Sequence, residues 1–142
     1  MSIFKGKPSL ETLNKMSENT LVSHLGIECI AIGDDFIEAK MPVDHRTHQP
    51  LGLLHGGASV ALAETLGSVA ATCCIDRTTH YCVGLEINAN HIKSVRSGFV
   101  YGITKPVHIG KKTQVWEIRI TTEEKELVCI SRITLAIIDR KQ

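Results

Sequence analysis

The sequence predicts an α+β fold in which one long helix packs across a single antiparallel sheet, and three features of its 142 residues carry that expectation. Segments of strand character surround one uninterrupted run of small and apolar residues, giving the order ββαββββ after short N-terminal helices. That run, Gly56 to Ile75, holds a single charged residue, Glu64, and therefore reads as a buried helix. The composition is that of a globular chain, 43% hydrophobic and 22% charged with 11 Gly and 4 Pro. No repeat or Gly/Ser linker divides it, so residues 1–142 read as one domain.

Leu10, Leu13 and Met16 recur at helical spacing after Pro8, and a second short helical segment, Thr20 to Leu25, stops at Gly26. Ile27 to Ile32 and Phe36 to Met41 flank Gly33-Asp34-Asp35, and Ile37, Ala39 and Met41 alternate with Glu38 and Lys40, which predicts a hairpin. Pro42 to His55 is polar and turn-rich and leads directly into the long helix, the kind of loop that carries function. Four strands are expected afterwards, at Tyr81–His91, Phe99–Lys105, Thr113–Thr122 and Leu127–Ile138. Turn signals at Ser97-Gly98, His108–Lys112 and Glu123–Glu126 separate them, and Trp116, Ile118 and Ile120 read as core.

Several functions are argued against. With 16 Lys+Arg against 15 Asp+Glu the net charge of +1 is too small for a surface built to attract nucleic acid or anionic lipid. MSIFKGKPSLET lacks the features of a signal or transit peptide, and the five cysteines show no CxxC spacing, so reduced thiols in a cytoplasmic protein are expected. Gly56–Ile75 is rich in Gly, Ala, Ser and Thr and carries Glu64 near its middle, so it reads as a buried helix and not as a membrane span. His45, His48 and His55 match no metal-ligand spacing. Gly57-Ala58-Ser59-Val60-Ala61 lacks the last glycine of a nucleophile elbow, and no P-loop or GxGxxG is present.

A carboxylate in an apolar helix must be paired, neutralised or open to a cavity, so Glu64 is either a structural partner of a His or Arg or a functional acid. Gly56-Gly57 stands where the helix begins, and its unpaired N–H groups can hold an oxygen that becomes negative during reaction, or simply let the loop turn. Gln49 and His55 lie just upstream. Across residues 87–116 there is no acid, while Lys93, Arg96, Lys105, Lys111 and Lys112 are basic. The rest of the chain has 11 basic and 15 acidic residues, so either an anionic ligand or a solvated strand face is implied.

HQPLGLLHGGASVALAETLGS (48–68), GDDFIEAKMPVD, VGLEINANHIKS and KPVHIGKKTQVWEI resemble the hotdog-fold acyl-CoA thioesterases of the phenylacetic-acid-degradation and 4-hydroxybenzoyl-CoA type. The likeness looks closest to the 1,4-dihydroxy-2-naphthoyl-CoA hydrolases and the enterobactin proofreading thioesterases. It implies a sheet wrapped around one central helix, with Glu64 as nucleophile or general base and the Gly56 N–H as oxyanion donor. Gln49, His55 and Ser68 would assist. Gly84, His91, Ile92, Lys93, Ser94, His108, Ile109, Gly110, Lys111, Lys112, Thr113 and Ala136 would line the CoA and acyl channel. The reaction so implied hydrolyses an aromatic acyl-CoA, best read as 1,4-dihydroxy-2-naphthoyl-CoA, without metal or cofactor. Proofreading of aryl-carrier-protein thioesters and a non-catalytic acyl-CoA sensor are the alternatives.

Gly56 and Glu64 are eight residues apart, which along a helix is about 12 Å of rise and about 80° of rotation. One carbonyl cannot touch both, so a dimer whose helices meet about a twofold axis is expected to share its sites, and the resemblance implies a dimer of such dimers.

Overall fold

The computed structural model describes residues 1–141. Two short helices open the chain, α1 (Leu10–Met16) and α2 (Leu21–His24), each started by a hydroxyl cap. The Thr12 N–H donates to Ser9 Oγ and the Val22 N–H to Thr20 Oγ1, both at 3.2 Å. Gly26, at φ +74°, turns the chain out of α2 in a conformation that favours glycine. The expected hairpin follows as β1 (Glu28–Ile32) and β2 (Ile37–Pro42), paired antiparallel. After the loop come α3 (Gly56–Cys73), β3 (His80–His91), β4 (Phe99–Ile109), β5 (Thr113–Thr121) and β6 (Leu127–Asp139).

The order ββαββββ and the antiparallel sheet match the expectation, while boundaries differ locally. Helix α3 ends at Cys73, capped by Cys74, two residues before Ile75. Strand β4 runs on to Ile109, past a bulge between Pro106 and His108 where the proline has no N–H to give the ladder. His108 and Ile109 are therefore strand, and only Gly110–Lys112 turns.

The sheet order is β1-β2-β4-β5-β6-β3. Ser97-Gly98 thus closes no hairpin: residues 92–98 carry the chain from the β3 edge across the end of the sheet to β4. That crossing segment is tied to the loop before α3, with the Val43 N–H donating to the Gly98 carbonyl and the Leu54 N–H to the Val95 carbonyl, each at 2.8 Å.

Helix α3 lays Leu62, Ala63, Leu66, Ala70 and Ala71 on a sheet face built from Ile37, Met41, Val100, Trp116, Ile118, Ile120, Ile133 and Leu135, all fully buried. Removing one such leucine costs about 2–5 kcal/mol. The approach is close because Gly67 has no side chain: a Cβ there would lie 2.4 Å from Ile133 Cγ2. Phe4 stacks on Trp116, whose indole N–H donates to Gln114 Oε1 at 2.8 Å.

Candidate active site

The loop into α3 is held by its own polar groups. The Thr47 hydroxyl donates to the Pro42 carbonyl at 2.7 Å, and the Thr47 and His48 N–H groups both reach the Asp44 carbonyl. Arg46 clamps Asp44 at 2.7 Å, and its hydrogen bonds hold that carboxyl well below the usual range. The Gln49 N–H donates to the Leu53 carbonyl, and Gln49 Oε1 accepts from the Leu51 N–H. With Oε1 engaged, the hydrogens on Nε2 are what Gln49 has to offer a ligand.

His55 is the N-cap of α3. Its Nδ1 accepts from the Gly57 N–H at 2.8 Å, which puts the proton of the neutral ring on Nε2. The Gly56 N–H has no partner among the described residues and stands free at the positive end of an 18-residue helix. A cavity of about 310 Å³ opens beside it, lined by Gln49, Gly56, His91, Ile92, Lys93 and Ser94 together with the buried Ser59. Six residues expected at the site on two distant stretches of sequence are thereby brought together. Ser59, which the sequence offers only as the serine of an incomplete nucleophile elbow, joins them there, and the signal for it is its place one turn into the helix from Gly56.

Glu64 sits in mid-helix, half-buried rather than enclosed. No hydrogen bond or ion pair reaches its carboxylate among the described residues, so the structural-partner alternative finds no partner. The carboxylate rests on Gly84, where a Cβ would come 2.6 Å from Oε1. Ser68, one turn further, shares its helix face but lines another cavity, of about 300 Å³ and mostly apolar, with Leu13, Met16, Val22, Val69 and Thr72.

The remaining expected residues gather at the opposite end of α3. Thr113 of β5 stands opposite Ala136 of β6, which stands opposite Val83, next to Gly84 on β3. The His108 ring packs over Gly110, and the Lys112 carbonyl accepts from the Ile137 N–H. Ile109, Gly110 and Lys111 line a third cavity, of about 780 Å³, with Lys5, His80 and Gln114. Lys5 escaped the sequence reading because it lies far from the basic stretch in sequence. Since α3 spans about 27 Å, one chain does not bring this group and the Gly56 group to a common point.

The acid-free stretch is not acid-free in space. Lys93 pairs with Glu126 at 3.2 Å, and Lys105 stands opposite Glu117 in the β4–β5 ladder. Lys111, Lys112 and Arg96 have no side-chain ion pair among the described residues. The cysteines are free, as expected. Burial pushes the Cys29 thiol up to about 11 and Cys74 to about 12, and raises Cys73 as well, so these are packed thiols without nucleophilic character. No group of acids, histidines and cysteines suited to a metal occurs among the described residues.

Comparison with known proteins places this geometry among enzymes. Residues 51–129 match the family described as the thioesterase superfamily. The 1,4-dihydroxy-2-naphthoyl-CoA hydrolase of Escherichia coli is 54% identical over 136 residues, 96% of this chain and 99% of that protein. The proofreading thioesterase EntH of Cronobacter turicensis is 52% identical over 135 residues, covering 95% and 98%. Among solved structures, a thioesterase from Haemophilus influenzae superposes with a TM-score of 0.94 at 54% identity, over 96% of this chain and 95% of that one.

Proposed function

The chain belongs to the thioesterase superfamily, with the hotdog fold and the activity of a thioester hydrolase, and from that premise we propose that it cleaves aromatic acyl-CoA thioesters at Glu64. The observation that carries this reading is the Glu64 carboxylate, half-buried and without an ion pair or hydrogen bond among the described residues. The thioester carbonyl oxygen accepts from the Gly56 N–H, whose partial positive charge matches the charge that grows there. Glu64 then either attacks the carbonyl carbon, expelling the CoA thiolate and leaving an anhydride that water opens, or takes a proton from the water that attacks. In both routes the C–S bond breaks, the acid gains one oxygen from water, and the thiolate takes up a proton. Gln49 Nε2, His55 and Ser68 orient the acyl group and the water. No metal or cofactor is part of the reaction.

The substrate we infer is 1,4-dihydroxy-2-naphthoyl-CoA, in menaquinone synthesis, which the E. coli relative supports. A second reading, clearance of mis-loaded aryl groups from a carrier protein, is supported by the Cronobacter relative. The unpaired Lys111, Lys112 and Arg96 favour the first, since free CoA brings a pyrophosphate and a 3′-phosphate that need cations. A non-catalytic acyl-CoA sensor has no use for Glu64.

We further propose a dimer with shared sites, assembled in pairs into a tetramer. Strand β3 is an edge of 12 residues with Tyr81, Val83 and Leu85 exposed, and Gly57, Ala61, Glu64 and Ser68 form the incompletely buried helix face beside that edge. A twofold axis there sets Gly56 and Gln49 of one protomer before Glu64 of its partner. The chain is taken as one cytoplasmic domain without nucleic-acid or membrane partners. No helix among the described residues is long and apolar enough to cross a membrane.

Free-thiol release from aromatic, aliphatic and carrier-bound thioesters, with wild type and Glu64→Gln, tests the reading. Turnover highest on aromatic CoA esters and lost by several orders of magnitude in Glu64→Gln is expected. Normal turnover in a folded Glu64→Gln protein contradicts it.

A further inference from the structure

The Gly56 N–H is a single donor, whereas a developing oxyanion is best held by two. His55, next in sequence, has its Nδ1 committed to the Gly57 N–H. The ring that faces Gly56 belongs instead to His91, at the end of β3. A Cβ built on Gly56 would lie 2.8 Å from His91 Nε2, closer than to any other atom of the imidazole, so the Nε2 edge is turned toward the glycine. The His91 side chain is exposed and has no hydrogen-bond partner among the described residues, and it lines the same cavity as Gln49 and Gly56.

These positions bound a distance. A Cβ sits about 2.5 Å from its own backbone nitrogen, so Nε2 lies at most about 5.3 Å from the Gly56 nitrogen. Two donors less than about 5.8 Å apart can both reach one oxygen at about 2.9 Å each. The pair therefore satisfies the separation needed to share one thioester oxygen, and a side chain at residue 56 would fill the gap between them.

We propose that His91 Nε2–H is the second donor of the oxyanion hole, acting with the Gly56 N–H on the thioester carbonyl. The assignment rests on the hydrolase reading above and adds a catalytic contact where the family resemblance implies for His91 only a place along the CoA and acyl channel. Its position is set by the β3–β6 register, in which His91 faces Cys129, and by the Ile92 N–H, which donates to the Val128 carbonyl at 2.8 Å. No covalent change at the imidazole is required, since it donates a hydrogen bond and keeps its proton.

The test combines kinetics with a spectroscopic probe. His91→Ala is expected to lower kcat about 100-fold with KM nearly unchanged, and His91→Gln, which keeps an N–H donor, to recover part of that loss. The probe is a non-hydrolysable aryl ketone analogue, aryl-CO-CH₂-S-CoA, labelled with ¹³C at the carbonyl. Its signal should move downfield on binding to wild type and to Glu64→Gln, and by clearly less on binding to His91→Ala. A raised KM with wild-type kcat, together with an undiminished ¹³C shift in His91→Ala, overturns the assignment and leaves the hydrolase reading standing. Failure of the ketone to bind wild type overturns both. Normal turnover by Glu64→Gln, with the ¹³C result as expected, removes Glu64 from the mechanism and leaves the His91 contact intact.

Discussion

The Glu64 carboxylate is seated on the α-carbon of Gly84, so close that a methyl group there would lie 2.6 Å from Oε1. The helix and the edge strand meet at this point, and the glycine determines where the acid can stand. Gly84→Ala displaces only the far end of a flexible side chain, so its cost in stability should be small, below about 1 kcal/mol. The carboxylate, however, must move by some tenths of an ångström or more. A fall in kcat of about 10- to 100-fold with nearly unchanged melting temperature is expected, measured by steady-state kinetics and calorimetry.

His55 combines a cap with a place beside the site, and substitution can separate the two. His55→Ala leaves the Gly57 N–H without its acceptor and should cost about 1 kcal/mol, seen as a melting point lower by about 3 °C. Asn is a favoured N-cap, so His55→Asn should restore most of that stability. Activity that returns together with stability makes His55 a capping residue only, whereas activity that stays low assigns the imidazole a role at the substrate.

Lys111 lines the cavity of about 780 Å³ and Lys112 follows it in the turn, neither with an ion pair among the described residues, whereas Lys93 is engaged by Glu126. Neutralising Lys111 and Lys112 together should raise KM for an acyl-CoA more than it lowers kcat, and added salt should mimic the change in wild type. Lys93→Met should raise KM much less. Equal effects from both variants would show that ion pairing with Glu126 does not decide which lysines serve CoA.

What was legible in the sequence is what local pattern encodes. The run of small residues around Glu64, the hairpin at Gly33–Phe36 and the alternating β5 strand each declare themselves within a dozen residues. The pairing of β3 with β6 does not, because it joins segments some 40 residues apart in sequence and skips both intervening strands. The same crossover brings His91–Ser94 to Gln49 and Gly56 and sets Glu126 beside Lys93. A stretch without acids in sequence therefore meets them in space, Glu126 from the turn before β6 and Glu117 from β5. The end of β4 was misread because Pro106 and Gly110 signal a turn, while the bulge lets the ladder continue between them.

Packed thiols give the protein an alkaline limit. In the folded chain Cys74 is pushed up to about 12 and Cys29 to about 11, mainly by burial, while unfolded thiols titrate near about 8.5. A raised folded value means that the stabilising contribution is complete below the unfolded value and is lost as pH rises through the folded one. Unfolding free energy should thus fall with pH above about 8.5, by on the order of 1 kcal/mol per pH unit for each such thiol, lowering the melting temperature, and the slope should flatten in Cys74→Ala. Thiol reagents at neutral pH should leave turnover intact, and rapid inactivation by them would contradict the packed-thiol assignment.

The central claim is that Gly56 and Gln49 of one protomer act with Glu64 of the other, and co-refolding tests it most directly. Glu64→Ala and Gln49→Ala chains, each inactive alone, are unfolded, mixed in equal amounts and refolded, with subunit mixing confirmed by mass spectrometry. Random pairing makes about half the dimers mixed, each with one intact composite site, so about a quarter of wild-type activity should return. No recovery from confirmed mixed dimers would mean that each chain carries its own complete site, contradicting the account.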